Sequence, residues 1–392
     1  MGGNAVSTMK VLSLFVSSLG LATTLFGADS AGPVITVRKG TSLAVNVKEI
    51  GGAAGAAATT LLKNDIQLSG VLSLGDAATA AVTISGTASS AAFTAQATEK
   101  TGGVVLHKVY TGETRRSIHQ FANDLIETLT GQKGIALSKV AFVADRTGHK
   151  EIYTCDYDGA NVLQLTHDNA ISVSPALSAD GRRLAYTGYQ SGYADIYLID
   201  LGNGARNRII KFPGTNSGAA FSPDGNRVAC TLSKDGNPEI YVTGINGDSP
   251  LRLTRSRGVE SSPTWSPNGS EIIYSSDQSG NPQLYRISAG GGSGRLLPTG
   301  FGYNTQPNWS PDGRKVAFNV RSGGGFQVAI LDLDSGSTHV AIGEGQSPVW
   351  GPDSRHIIFS RGDGLYMFDT VTARETRLVG DAGRISEPTW SR

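Results

Sequence analysis

Cysteine is scarce: two in 392 residues cannot build a disulfide scaffold or a Cys-based metal cluster. An excess of one charge is also missing, since 34 Lys+Arg face 33 Asp+Glu, for a formal net charge of +1. Neither half of the chain hides a basic tail or an acidic block, so no global electrostatic grip on nucleic acid is expected. Long hydrophobic runs are confined to the beginning. Lys10 precedes an apolar stretch from Val11 to Phe26, then Gly27 and Ala28, the layout of a removed secretory signal over residues 1–28. Five Ser/Thr within that stretch argue against a membrane anchor, and no later stretch approaches a spanning length. The mature chain is expected to be exported, soluble, monomeric and not membrane-inserted.

Catalytic signatures are lacking too. No Ser has Gly two positions before and two after, so the nucleophile elbow of propeller-linked peptidases is missing. The histidines, His107, His119, His149, His167, His339 and His356, are scattered without an H-E-x-x-H pair, which leaves a zinc hydrolase unsupported. The Gly-rich runs at Gly290 and Gly323 lack the Lys-Ser/Thr of a phosphate cradle and read as hairpin tips. No catalytic residue, metal or cofactor is expected.

What the chain has in abundance is a repeat. P-A-L-S-A-D-G from Pro175 recurs as A-A-F-S-P-D-G from Ala219, P-T-W-S-P-N-G from Pro263, P-N-W-S-P-D-G from Pro307 and P-V-W-G-P-D-S from Pro348, then as P-T-W-S from Pro388. Its large residue falls at Leu177, Phe221, Trp265, Trp309, Trp350 and Trp390, in steps of 44, 44, 44, 41 and 40. Each of the first five copies is followed by a short apolar strand, such as R-L-A-Y ending at Tyr186, and a second such as D-I-Y-L from Asp195. Four short strands per unit of about 40 to 45 residues form the pattern of a β-propeller blade. The first unit, with K-V-A-F ending at Phe142, lacks its opening strand, and the motif at Pro388 supplies it from the other end of the chain. The expected fold is therefore mainly β: a propeller of six blades over residues 139–392, closed by the C-terminal strand. The repeated Asp180, Asp224, Asp312 and Asp353 read as turn chemistry. Cys155 and Cys230 fall in non-adjacent blades, beyond the ~7 Å Cα reach of a disulfide.

Residues 29–138 do not repeat. Ile118, Phe121, Ala122, Leu125, Ile126 and Leu129 mark one apolar face of a helix stopped by Gly131. A second helix is expected over Ala53 to Lys63, and strands from Val34, Leu43, Ala81 and Val104, which together make a small α/β domain. His119 reads as a helix-surface or junction-packing residue.

The junction H-Q-F-A-N-D-L-I-E-T-L-T-G-Q-K-G-I-A from His119, running into K-V-A-F-V and later D-Y-D-G at Asp156, resembles the TolB translocation proteins of Gram-negative bacteria. The resemblance covers nearly the whole mature chain. Two departures stand out: Asn123 where the family usually has Asp, and L-A-V-N-V-K-E-I in place of a stretch ending in Pro-Phe. The resemblance implies a periplasmic part of the Tol-Pal system, supporting envelope integrity and constriction at division. It implies that the propeller mouth binds the lipoprotein Pal and that the N-terminal segment engages TolA. By position, that segment includes Val34, Ile35, Thr36, Val37 and Arg38. The mouth positions are Thr215, Asn216, Gly218, Glu260, Ser261, Asn304 and Thr305, in the loops entering the innermost strands. An alternative is an exported propeller that recognises a carbohydrate or accompanies a peptidase.

Overall fold

The structure, a computed structural model, describes residues 42–391. The expected signal over residues 1–28 and the segment from Val34 to Arg38 lie outside them. The described chain opens with β1 (Leu43–Val47), α1 (Gly55–Ser69), β2 (Leu72–Leu74), β3 (Val82–Ala88), β4 (Ala92–Glu99), β5 (Val104–Thr111) and α2 (Thr114–Thr130). The sheet order is β2-β1-β3-β4-β5, parallel around β1 and antiparallel from β3 onward.

Helix α2 forms because its ends and its face agree. The Glu113 carboxylate accepts from the N–H groups of Arg115 and Arg116, capping the first turn, and Gly131 at φ 70° closes the last. All six residues of the expected apolar face are buried, and Phe121 meets Phe93 of β4 edge-on at 5.7 Å. Helix α1 begins two residues later than expected and runs on to Ser69, because Ile66 and Leu68 continue its buried face past Lys63. Strand β4 was hidden in Ala/Thr-rich sequence. Its alternation is of small residues: Phe93, Ala95 and Ala97 are fully buried while their neighbours stay partly open.

Six four-stranded sheets follow. Their innermost strands are Ser172–Leu177, Asn216–Phe221, Glu260–Trp265, Asn304–Trp309, Gln346–Trp350 and Ile385–Trp390. The last pairs antiparallel with Lys139–Ala144, in register Ile385↔Ala144 to Trp390↔Val140, and so completes the first blade. Ser391 secures the join: its hydroxyl accepts from the Lys139 N–H at 2.8 Å and its own N–H donates to the Lys139 carbonyl at 2.9 Å.

The core lies between blades. Trp265 of the fourth blade packs with Ala229, Ile240 and Val242 of the third, and donates its indole N–H to the Ala220 carbonyl at 3.0 Å. The repeated acids act as turn residues: Asp180 accepts from the Ser178 hydroxyl and the Arg182 N–H, and Asp224 and Asp312 repeat the arrangement. Cys155 and Cys230 are buried free thiols. Among the described residues no helix is long and apolar enough to cross a membrane.

Candidate functional site: the propeller mouth

Each innermost strand contains a bulge at the residue before the repeat motif. Ser174, Ser262, Gln306, Ser347 and Glu387 all have φ between 50° and 54°, and Gly218 has 63°. The strand register shifts at that point in all six blades. Positive φ is uncommon for residues other than Gly, so five such residues at one repeated position mean that the blade imposes the conformation. The six residues line one cavity of about 160 Å³ at the mouth end of the central channel. A further stretch of about 190 Å³ continues along the same channel, sharing Pro175, Pro263, Pro307 and Pro388. Glu387 is the one ionisable member of the ring, and its carboxylate accepts from the N–H and hydroxyl of Ser174 at 2.6 and 3.1 Å.

The seven expected mouth residues gather at this end of blades three, four and five, with different exposures. Thr215 is exposed, and Gly218, Ser261 and Thr305 are half-buried. Asn216, Glu260 and Asn304 are buried and turned into the junctions between blades. The Asn216 amide donates to the carbonyls of Phe212 and Ala194, at 2.8 and 3.1 Å, and to Asp195 at 3.2 Å. Asn304 donates to Gln283 at 2.6 Å and to the Phe301 carbonyl at 2.9 Å. Glu260 accepts from the hydroxyls of Ser256 and Ser276, each at 2.6 Å. These three hold the mouth loops from behind. Sequence reasoning did not single out the rim itself, where Ile171, Tyr189, Tyr193 and Val259 are exposed, Tyr193 by 74%. Apolar and aromatic groups of this kind anchor protein interfaces.

At the opposite end the α/β domain meets the first and sixth blades. Nδ1 of His119 lies 2.8 Å from Oδ2 of Asp65, and the Tyr157 hydroxyl donates to Oδ1 of the same carboxylate at 2.6 Å. His119 is thus a buried junction residue. Burial pushes the Asp65 carboxyl up and the Tyr157 phenol well up. Arg115 bridges Asp156 and Asp158, and Lys139 also bonds Asp156. Burial raises Asp156, but the hydrogen bonds from Lys139 and Arg115 outweigh it and leave this carboxyl below its usual range. Among the described residues Asp65, His119 and Asp158 form one group with ligand atoms close enough to hold a metal ion, although Arg115 already neutralises Asp158.

The family profile described as the TolB beta propeller domain matches residues 126–392. The chain belongs to the TolB family. "Protein TolB homolog" of Chlorobaculum tepidum is 47% identical over 94 residues, covering 23% of this chain and 22% of that protein. "Tol-Pal system protein TolB" of Desulfosudis oleivorans is 43% identical over 89 residues, 22% of this chain and 20% of that one. The matched segment thus spans about a fifth of the length of these TolB relatives. The crystal structure of TolB from Acinetobacter baumannii superposes with a TM-score of 0.80 at 24% identity, over 90% of this chain and 97% of the other. That likeness establishes the fold: a TolB-type α/β domain before six blades.

Proposed function

We propose that this TolB-family chain is a component of the Tol-Pal envelope system of a Gram-negative bacterium, working in the periplasm as a binding protein and not as an enzyme. Its mouth docks the lipoprotein Pal, and its N-terminal segment, including Val34 to Arg38, engages TolA. The observation that carries the reading is the mouth itself. A rigid ring of bulged residues lines a cavity of about 160 Å³, and on the same end of the propeller the loops of the second blade expose Tyr193, Tyr189 and Ile171. The likeness to the Tol-Pal system protein TolB of Desulfosudis oleivorans supports the same system. Two partner sites on one chain permit coupling between them, provided each partner prefers a different state of the N-terminal segment.

The test is calorimetric titration of the mature chain with the soluble domain of Pal from the same cells. Saturable one-to-one binding that Tyr193→Ala weakens is the expected result. Absence of Pal binding, together with capture of a glycan or a peptidase from periplasmic extract, would overturn the reading.

A further inference from the structure

The mouth-side junctions between successive blades are built alike. The first residue of an innermost strand donates its N–H to the carbonyl just before the third strand of the preceding blade: Ser172 to Lys150, Asn216 to Ala194, Glu260 to Pro238 and Asn304 to Pro282, all at 2.8–3.1 Å. This shared bond brings two polar side chains into one buried position. One is the first residue of the third strand, Glu151, Asp195, Glu239 or Gln283. The other is Ser172, Asn216, Glu260 or Asn304.

Two of these junctions match an acceptor with a neutral donor: Asp195 accepts from the Asn216 amide at 3.2 Å, and Gln283 accepts from the Asn304 amide at 2.6 Å. At a third, Glu151 accepts from the Thr166 hydroxyl and from the N–H groups of Asp168 and Asn169 instead. The junction of blades three and four breaks the rule, because Glu239 faces Glu260. Both are essentially excluded from solvent, at 0% and 1% exposure. Each has one oxygen satisfied: Oε1 of Glu239 accepts from Arg252 at 2.8 Å and from the Ser256 N–H at 2.9 Å, and Oε1 of Glu260 accepts from two serine hydroxyls. Oε2 of Glu260 is buried and, among the described residues, has no donor other than the facing carboxyl group. Two ionised carboxylates in that position would leave a buried negative charge uncompensated, which is far costlier than a neutral group.

We propose that Glu239 and Glu260 share one proton, which supplies the donor that Asn216 and Asn304 supply at the neighbouring junctions and makes this junction the pH-sensitive element of the mouth. The charges around the pair fit a single negative charge. Among the described residues Arg252, on the outermost strand of blade three, is the one cation bonded to it, and Arg252 also approaches Asp235 at 4.0 Å. Asp277, from the loop after the second strand of blade four, holds the Val259 N–H at 2.7 Å and adds no positive charge. Tyr274, on that second strand, is held neutral chiefly by its burial and adds no positive charge. Burial, reinforced by the neighbouring Glu239, raises Glu260 above the ordinary glutamate range. The bonds that Thr254 and Arg252 give Glu239 overcome its burial and lower it. Losing the proton sets two like charges against each other directly beneath Val259 and Ser261, so the entrance loop of blade four loosens as pH rises.

The inference does not depend on what docks at the mouth, and neither does its test. In Glu260→Gln an amide faces Glu239 as Asn216 faces Asp195. Folding constants of wild type and E260Q are compared by denaturant unfolding from about pH 5 to about pH 8. Wild type is expected to lose ground to E260Q as pH rises, up to tenfold per pH unit while the folded chain holds a proton that the unfolded chain has released. The difference is smallest at the acid end of the range and closes below about pH 4, where the unfolded chain is protonated too. Wild type at neutral pH should also show a protonated-carboxyl stretching band in the infrared that is missing from both E260Q and Glu239→Gln. This measurement stands even if one variant folds poorly. A ratio of folding constants that is flat across the range, or a wild-type spectrum without the band, overturns the proposal.

Discussion

Deleting Pro388 to Arg392 removes little mass, yet it opens the ring. Trp390 is 3% exposed, and truncating a buried Trp costs about 3–5 kcal/mol. Besides the ladder pairing of Thr389 with Ala141 and Trp390 with Val140, the deletion removes four further hydrogen bonds: Trp390 indole to Ser138 at 2.7 Å, Lys139 N–H to Ser391 at 2.8 Å, Ser391 N–H to Lys139 at 2.9 Å and Leu177 N–H to Thr389 at 3.2 Å. At about 1 kcal/mol net for each bond, the loss reaches roughly 8 kcal/mol, on the scale of the whole ~5–15 kcal/mol that stabilises a folded domain. Lys139–Ala144 would then present a bare, apolar edge, which invites association between chains. Urea unfolding followed by far-ultraviolet circular dichroism, with light scattering for aggregation, measures both effects. A truncated chain that keeps the full-length midpoint and stays monomeric would refute closure through residues 385–391.

Gly218→Arg should weaken Pal binding by well over tenfold while the melting temperature falls only slightly. The nearest atom to a new Cβ is Thr231 Oγ1 at 3.9 Å, and five equivalent positions already hold larger residues at the same φ; unchanged affinity in a folded variant would remove the channel mouth from the binding surface. Cys155 and Cys230, whose thiols burial pushes up to about 12, should resist thiol reagents until the chain is unfolded, and an intramolecular disulfide found by mass spectrometry would contradict the blade assignment. Asp65→Ala should cost about 3 kcal/mol or more, because it strands the buried Tyr157 hydroxyl and His119 imidazole; an unchanged midpoint would mean that this junction holds nothing together. Asp369 is raised by burial but brought down to about 2 by its hydrogen bonds, Arg355 foremost, so its folded-state value lies below the unfolded one. The stability it provides is present above the ordinary carboxylate range and is lost as pH falls from about 4 toward 2, a limb that Arg355→Ala should flatten in acid titration.

The repeat carried the propeller into view because each blade writes the same large residue, turn and apolar strand at a nearly constant step. The helix from Thr114 was equally legible, with a face of six apolar residues and a Gly stop. What stayed hidden was set by partners distant in sequence. Strand β4 buries Ala95 and Ala97, too small to register as an apolar alternation. Asn216, Glu260 and Asn304 read as loop polars, yet each is sealed by the preceding blade, whose contacting residues lie some twenty positions upstream. The left-handed ring was invisible because nothing in Ser, Gln or Glu announces positive φ; the bulge geometry of the strand dictates it.

That ring has a consequence for how anything in the channel is oriented. Six near-equivalent backbone positions form a dial around one axis, but the side chains mounted on it are unequal: a gap at Gly218, three hydroxyls, an amide at Gln306 and a lone carboxylate at Glu387. A ligand with a single cationic group would find the same backbone in every setting of the dial and favourable charge in only one. For such a ligand the symmetric scaffold would set position along the axis, and Glu387, carried on the strand that closes the ring, would set rotation about it.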